Sequence, residues 1–105
     1  MKKISSEEIA ELLRKAISGE VKVTAVGCSW NSVYCGNATM RIDEYEITIF
    51  NDCGELDYID NAKAPDGRTC EFEDWDYSQD PIEHLTPEEV SQMEKILENA
   101  EGVDE

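Results

Sequence analysis

Apolar residues recur at helical spacing near both ends of the chain and alternate with polar residues between them. Near the start, Ile9, Leu12, Leu13, Ala16 and Ile17 fall on one helical face. Ser5 with Glu8 three residues later predicts a capping box, and Gly19 is placed to end the helix at positive φ. Near the end, Val90, Met93, Ile96, Leu97 and Ala100 form a second stripe. Thr86 and Glu89 make its capping box, and Gly102 is expected to close it, with 101–105 and 1–4 frayed. Just before it, Asp80-Pro81-Ile82-Glu83-His84-Leu85 reads as a single helical turn capped by Asp80 with Pro81 at the first position.

Between the helices the period falls to two. Val21, Val23 and Ala25 alternate with Lys22 and Thr24, and the strand ends at Gly27. Cys28-Ser29-Trp30-Asn31 is expected as a loop or bulge. Ser32 to Cys35 and Ala38 to Ile42 read as one bent strand interrupted by Gly36-Asn37. Asp43-Glu44 is a two-residue hairpin loop without the glycine such loops favour. Tyr45, Ile47 and Ile49 then alternate with Glu46, Thr48 and Phe50 up to the turn signal Asn51-Asp52-Cys53-Gly54. Leu56, Tyr58 and Ala62 are expected on one face of the next strand, against Asp57 and Asp60. Pro65-Asp66-Gly67 closes that strand, and Thr69 to Trp75 alternates Cys70, Phe72 and Asp74 against Glu71 and Glu73. Strands in a run with a helix at each end predict an α+β fold. Four to five antiparallel strands would carry both helices on one face, within a single domain over 1–105.

Charge changes this picture. The net charge is −16, and it is unevenly spread. Residues 1–41 hold four acids and six bases, whereas 42–105 hold 21 acids and three bases, Lys63, Arg68 and Lys95. Solubility alone calls for a magnitude of about 2 to 8 in a small domain. Like charge packed on one body costs stability by self-repulsion. The bland reading is a solvated acidic surface. The sharper reading is a surface that meets a basic partner. Direct binding to nucleic acid or to an anionic membrane is disfavoured by the same sign. No apolar run approaches a membrane span and the N-terminus lacks a signal-peptide core, so a cytoplasmic protein is expected.

Catalytic signatures are missing. No phosphate loop, dinucleotide fingerprint, H-E-x-x-H or G-x-S-x-G occurs, and an enzyme is not expected. A calcium loop starting at Asp74, Asp76 and Ser78 fails, because Gln79 stands where glycine is needed and Leu85 where the last glutamate belongs. The only histidine, His84, reads as a structural or surface residue. Cys28, Cys35, Cys53 and Cys70 include no close ligand pair, so no metal or cofactor is expected and the thiols read as small buried side chains. Cys53, beside a turn, is the exposed exception. A cysteine-based metal or redox role is the alternative function.

The strings Ile47-Thr48-Ile49-Phe50-Asn51-Asp52-Cys53, Glu55-Leu56-Asp57-Tyr58 and Pro65-Asp66-Gly67-Arg68 resemble a family of short, acidic, uncharacterised proteobacterial proteins. The resemblance continues through Trp75, Asp80-Pro81 and the last helix, and that family's pattern has Asp-Gly where this chain has Asp43-Glu44. It implies kinship and no activity. The residues themselves point to an acidic protein-binding module that engages a basic, nucleic-acid-binding partner and could inhibit it, in the manner of nucleic-acid mimics, anti-CRISPR proteins or nuclease immunity proteins. The expected contacts are Asp52, Glu55, Asp57, Asp60, Glu71, Glu73, Asp74 and Asp76, with Tyr58 and Trp75 as aromatic anchors.

Overall fold

The structure is a computed structural model and describes residues 4–27, 29–33, 35–75 and 80–103. Helix α1 (Ser6–Ser18) starts at Ser5, whose Oγ accepts the Glu8 N–H, and ends at Gly19 in the left-handed region at φ 86°. The capping box is only half made. The Glu8 carboxylate turns away from the helix and takes both Nη atoms of Arg68 at 2.9 and 2.8 Å and the Tyr45 hydroxyl at 2.5 Å. The Arg68 guanidinium, and then the Tyr45 hydroxyl, hold the Glu8 carboxyl below its ordinary range. Arg68 also reaches Asp66 at 2.8 Å, so it ties the start of α1 to the turn after the fourth strand.

Five strands follow as an antiparallel meander: β1 (Val23–Val26), β2 (Cys35–Ile42), β3 (Tyr45–Asp52), β4 (Glu55–Lys63) and β5 (Thr69–Glu71). Helix α2 (Pro87–Asn99) carries the full Thr86–Glu89 capping box. Its exit differs from the expectation. Ala100 is the cap in an extended conformation, and β6 (Glu101–Val103) pairs in parallel with β1 at Thr24, Ala25 and Val26. Residues 101–103 are therefore not frayed. The open edge of β1 offers backbone partners directly where α2 ends, and the sheet order is β5-β4-β3-β2-β1-β6.

Both helices pack on one sheet face. Ile9, Leu12, Leu13 and Ala16 of α1 and Met93 and Leu97 of α2 meet Ala25, Met40, Ile42, Ile47, Ile49 and Ile59 in one buried cluster. Burying each leucine, isoleucine or methionine of this cluster stabilises by about 1.5–3 kcal/mol. The short helical turn Pro81–His84 is fastened to α1 by Ser6 Oγ and His84 Nε2 at 3.0 Å, which gives His84 a structural contact.

The β2–β3 loop is the expected two-residue turn, with Asp43 at φ 47° and Glu44 at φ 68°. Both are left-handed, as a type I′ turn requires, and neither is glycine. Glu44→Gly is expected to stabilise the protein by about 0.5–1 kcal/mol, read as a rise in the denaturant midpoint, because the left-handed penalty on a side-chain-bearing residue disappears. An unchanged or lower midpoint would contradict this account of the turn.

β4 departs from simple alternation. Leu56 faces Asn51 while Tyr58 faces Phe50, leaving Asp57 as an extra residue; Ile59 faces Ile49 while Asn61 faces Thr48, leaving Asp60 extra. Two bulges thus shift the inward set to Leu56, Ile59 and Ala62. Tyr58 moves to the opposite face from Leu56, against the expectation. The bulged strand's backbone is completed by carboxylates, since Leu56 N–H donates to Glu94 at 2.9 Å and Ile59 N–H to Asp80 at 3.3 Å.

The middle of the uncovered sheet face is also not the acidic wall that the alternation suggests. Thr39, Thr48 and Asn61 lie side by side, with the Thr39 and Thr48 hydroxyls 3.0 Å apart, and Arg41 pairs with Glu46 at 3.5 Å. The acids gather instead beside β4 and β5.

Candidate functional site

The bulge at Asp57 sets Tyr58 outward next to Phe50 of β3. The two rings stack with centroids 5.1 Å apart and planes 12° from parallel. Phe72 completes the group, 4.8 Å from Tyr58 and tilted by 45°. Phe72 was expected to point inward with Cys70. It does not, because β5 ends at Glu71 and residues Phe72–Asp74 form a 3-10 turn that breaks the alternation.

A cleft of about 360 Å³ opens beside these rings, lined by Asp57, Tyr58, Phe72, Asp80 and Glu83. On the other side of Phe72 a shallower depression is lined by Asp60, Glu71 and Glu73. Asp80 is the distinctive group, with 4% of its surface exposed. Its carboxylate accepts the N–H of Ile82 at 3.0 Å and that of Ile59. Burial pushes its pKa up to about 6, the two backbone donors oppose the rise, and the negative charges of Glu83 and Asp57 add to it. Aromatic walls and three carboxylates suit the cleft to a cationic side chain. A cation over such rings gains roughly 0.5–2 kcal/mol from the ring faces alone.

Of the residues expected at the site, Asp57, Tyr58, Asp60, Glu71 and Glu73 do come together around Phe72. Asp52 and Glu55 lie instead at the β3–β4 turn, which Cys53 and Gly54 form. Asp74 is exposed, but its carboxylate caps the 3-10 turn by accepting the Glu71 N–H at 2.8 Å. Trp75 is no surface anchor: it is buried, and its indole N–H donates to the Ile4 carbonyl at 3.1 Å. The 3-10 turn rotates Trp75 toward the core. Asp76 lies outside the described residues. Asp80, Glu83, Phe50 and Phe72 were not legible as site residues. Asp80 reads locally as a helix cap, and it is one as well, so only its contact with Ile59 reveals the second role.

The thiols divide. Cys70 is buried as an apolar side chain, whereas Cys35 and Cys53 are exposed, which corrects the expectation for Cys35 and meets it for Cys53. Cys28 lies outside the described residues. Among the described residues no helix is long and apolar enough to cross a membrane.

Comparison with known proteins bears on family alone. No match was found among curated proteins, and none among solved structures. Residues 3–99 match the family described as Domain of unknown function (DUF7693), and the chain belongs to that family.

Proposed function

We propose that this protein is an acidic binding module that engages a basic, nucleic-acid-binding partner in the cytoplasm and blocks its nucleic-acid surface. A lysine or arginine of the partner enters the cleft of Asp57, Tyr58, Phe72, Asp80 and Glu83, while Asp60, Glu71 and Glu73 meet basic groups around it. The observation that carries this reading is Asp80, an acid kept in a desolvated position beside two aromatic rings and two further acids. Such a group is uncomfortable without a cation and is satisfied by one.

The scale of the charge supports the same reading. Duplex DNA carries one charge per roughly 1.7 Å of axis, so the 33 Å long dimension of the domain spans about 20 phosphates. Residues 42–105, with 21 acids and three bases, carry charge of that order. A bacterial setting, implied by the resemblance of Ile47 to Cys53 and Pro65 to Arg68, would supply partners among nucleases and RNA-guided defence complexes.

The test uses affinity capture from host lysate at low salt with elution in salt steps, comparing the native chain with D57K/D60K/E73K. A basic protein recovered in stoichiometric amount by the native chain should bind the variant more weakly by over about 100-fold, since clustered interface charges each carry a kcal/mol or more. Equal recovery by a variant with unchanged circular dichroism refutes the proposed face.

A further inference from the structure

The β2–β3 ladder joins two cysteines that stand far apart in sequence. Cys35 opens β2 directly opposite Asp52, the last residue of β3, and Cys53 follows in the turn. The Cys35 and Cys53 Sγ atoms are 2.8 Å apart. Together with one Asp52 carboxylate oxygen they form a trio of donor atoms within 4.8 Å of one another, all on exposed residues.

This convergence is built into the backbone. Cys53 adopts φ 54°, a left-handed conformation that a cysteine does not favour. It is held there by Asn51, which is 1% exposed and whose Oδ1 accepts the Gly54 N–H at 2.6 Å. The Nδ2 of the same side chain donates to the carbonyls of Trp30 and Val33, in the segment that leads toward Cys35. One buried amide therefore fixes the turn that presents one thiol and the approach to the strand that presents the other.

We propose that Cys35, Asp52 and Cys53 form a surface site for a thiophilic divalent cation, with zinc as the best fit. Two thiolates and a carboxylate are among zinc's preferred ligands, at about 2.3 Å for sulfur and 2.0–2.2 Å for oxygen. Two sulfurs on a tetrahedral zinc stand about 3.8 Å apart, so the pair opens by about 1 Å, within reach of exposed side chains. The fourth position is left for water or for a donor from another molecule. Soft sulfur ligands discriminate against magnesium and calcium. A dication that displaces the two thiol protons into solvent is drawn to a surface of net charge −16. This site is independent of the acidic cleft and stands or falls without it.

The experiment titrates zinc sulfate into the full chain, freshly reduced with a phosphine, against a chromophoric chelator. Cobalt(II) serves as a second probe, read by its thiolate charge-transfer absorption. One equivalent of zinc is expected per chain. C35S and C53S should each weaken binding by more than about 100-fold, and D52N by about 10–100-fold, while C70A leaves it unchanged. All variants alter exposed side chains apart from C70A, and circular dichroism of each metal-free variant verifies the fold. Binding well below one equivalent, or equal affinity in C35S/C53S, overturns the proposal. So does a chain that takes up no metal but exchanges with glutathione disulfide, passing both thiol hydrogens to two glutathione molecules and closing a Cys35–Cys53 disulfide.

Discussion

Asn51→Ala is expected to destabilise the protein by about 3 kcal/mol, the largest effect of a single polar substitution outside the apolar core. The side chain is 1% exposed and makes three bonds to backbone, donating to the carbonyls of Trp30 and Val33 and accepting from Gly54 N–H. Truncation strips a partner from each of these groups. A buried polar group left without one costs about 1–3 kcal/mol, while those nearer the turn can take water. Asn51→Asp separates the two functions. It retains the acceptor for Gly54 but loses both donors and places a charge against two carbonyl oxygens, so it should be at least as harmful at neutral pH. Urea titration reads the effect as a lower midpoint at unchanged slope. A loss below about 1 kcal/mol for Asn51→Ala would mean that the turn and the segment before β2 hold without this bridge.

Asp80→Asn is expected to do the opposite at neutral pH, raising stability by an amount on the order of 2 kcal/mol. The folded Asp80 has a pKa near 6, against the ordinary 3.8. Where the folded pKa is raised, the native state binds the proton more tightly than the unfolded state. The stability this group contributes is therefore full below about pH 4 and is lost as pH rises through about 6. Asparagine stays neutral throughout and retains an acceptor for Ile82 and Ile59. The gap between the variant and the native chain should open as pH rises from about 4 through about 6 and close in acid. Measuring that difference removes the common titration of the other carboxylates. A variant less stable than the native chain at both ends of the range would show that the two oxygens are needed for hydrogen bonding and that charge burial is not the governing cost.

Partner binding carries the reverse sign. A cation in the cleft prefers the ionised carboxylate and draws its pKa down, so affinity should fall as pH drops below 6, where the isolated fold gains stability. Asp80→Asn should then bind weakly at pH 7.5 and show a flattened pH profile. Stability and binding pulling against each other at one residue is the pattern expected of a group retained for recognition.

How much of this was legible follows the reach of each interaction. The helices were, because Ser5, Gly19, Thr86 and Glu89 are local signals that act within one turn. The hairpin at Asp43-Glu44 was, because its flanks alternate cleanly even though its turn residues are unfavourable. β4 was not, since Asp57 and Asp60 each add a residue and a bulge leaves no mark in composition. β6 was hidden for another reason. Its three residues gain order only from an edge that β1 supplies some 75 positions earlier. The acidic site was half legible. Its acids stood out, but Trp75 turns inward and Asp80 comes from a turn 21 residues after Ile59, the strand residue whose N–H it accepts. The Cys35–Cys53 pair had no motif to announce it, because strand register rather than spacing makes it.

The bulged strand also governs how this sheet can meet other chains. β5 covers β4 only from Asn61 to Lys63. The stretch before it would be a template for strand addition if it were flat, and strand addition is how sheet borders seed polymers. Here it is twisted by two inserted aspartates, and the amides of Leu56 and Ile59 are already engaged by carboxylates from the helical layer. An incoming strand would have to evict Glu94 and Asp80 before it could pair. Self-association through this border is thus suppressed by the same devices that shape the cleft, and whatever docks there must read side chains and not backbone.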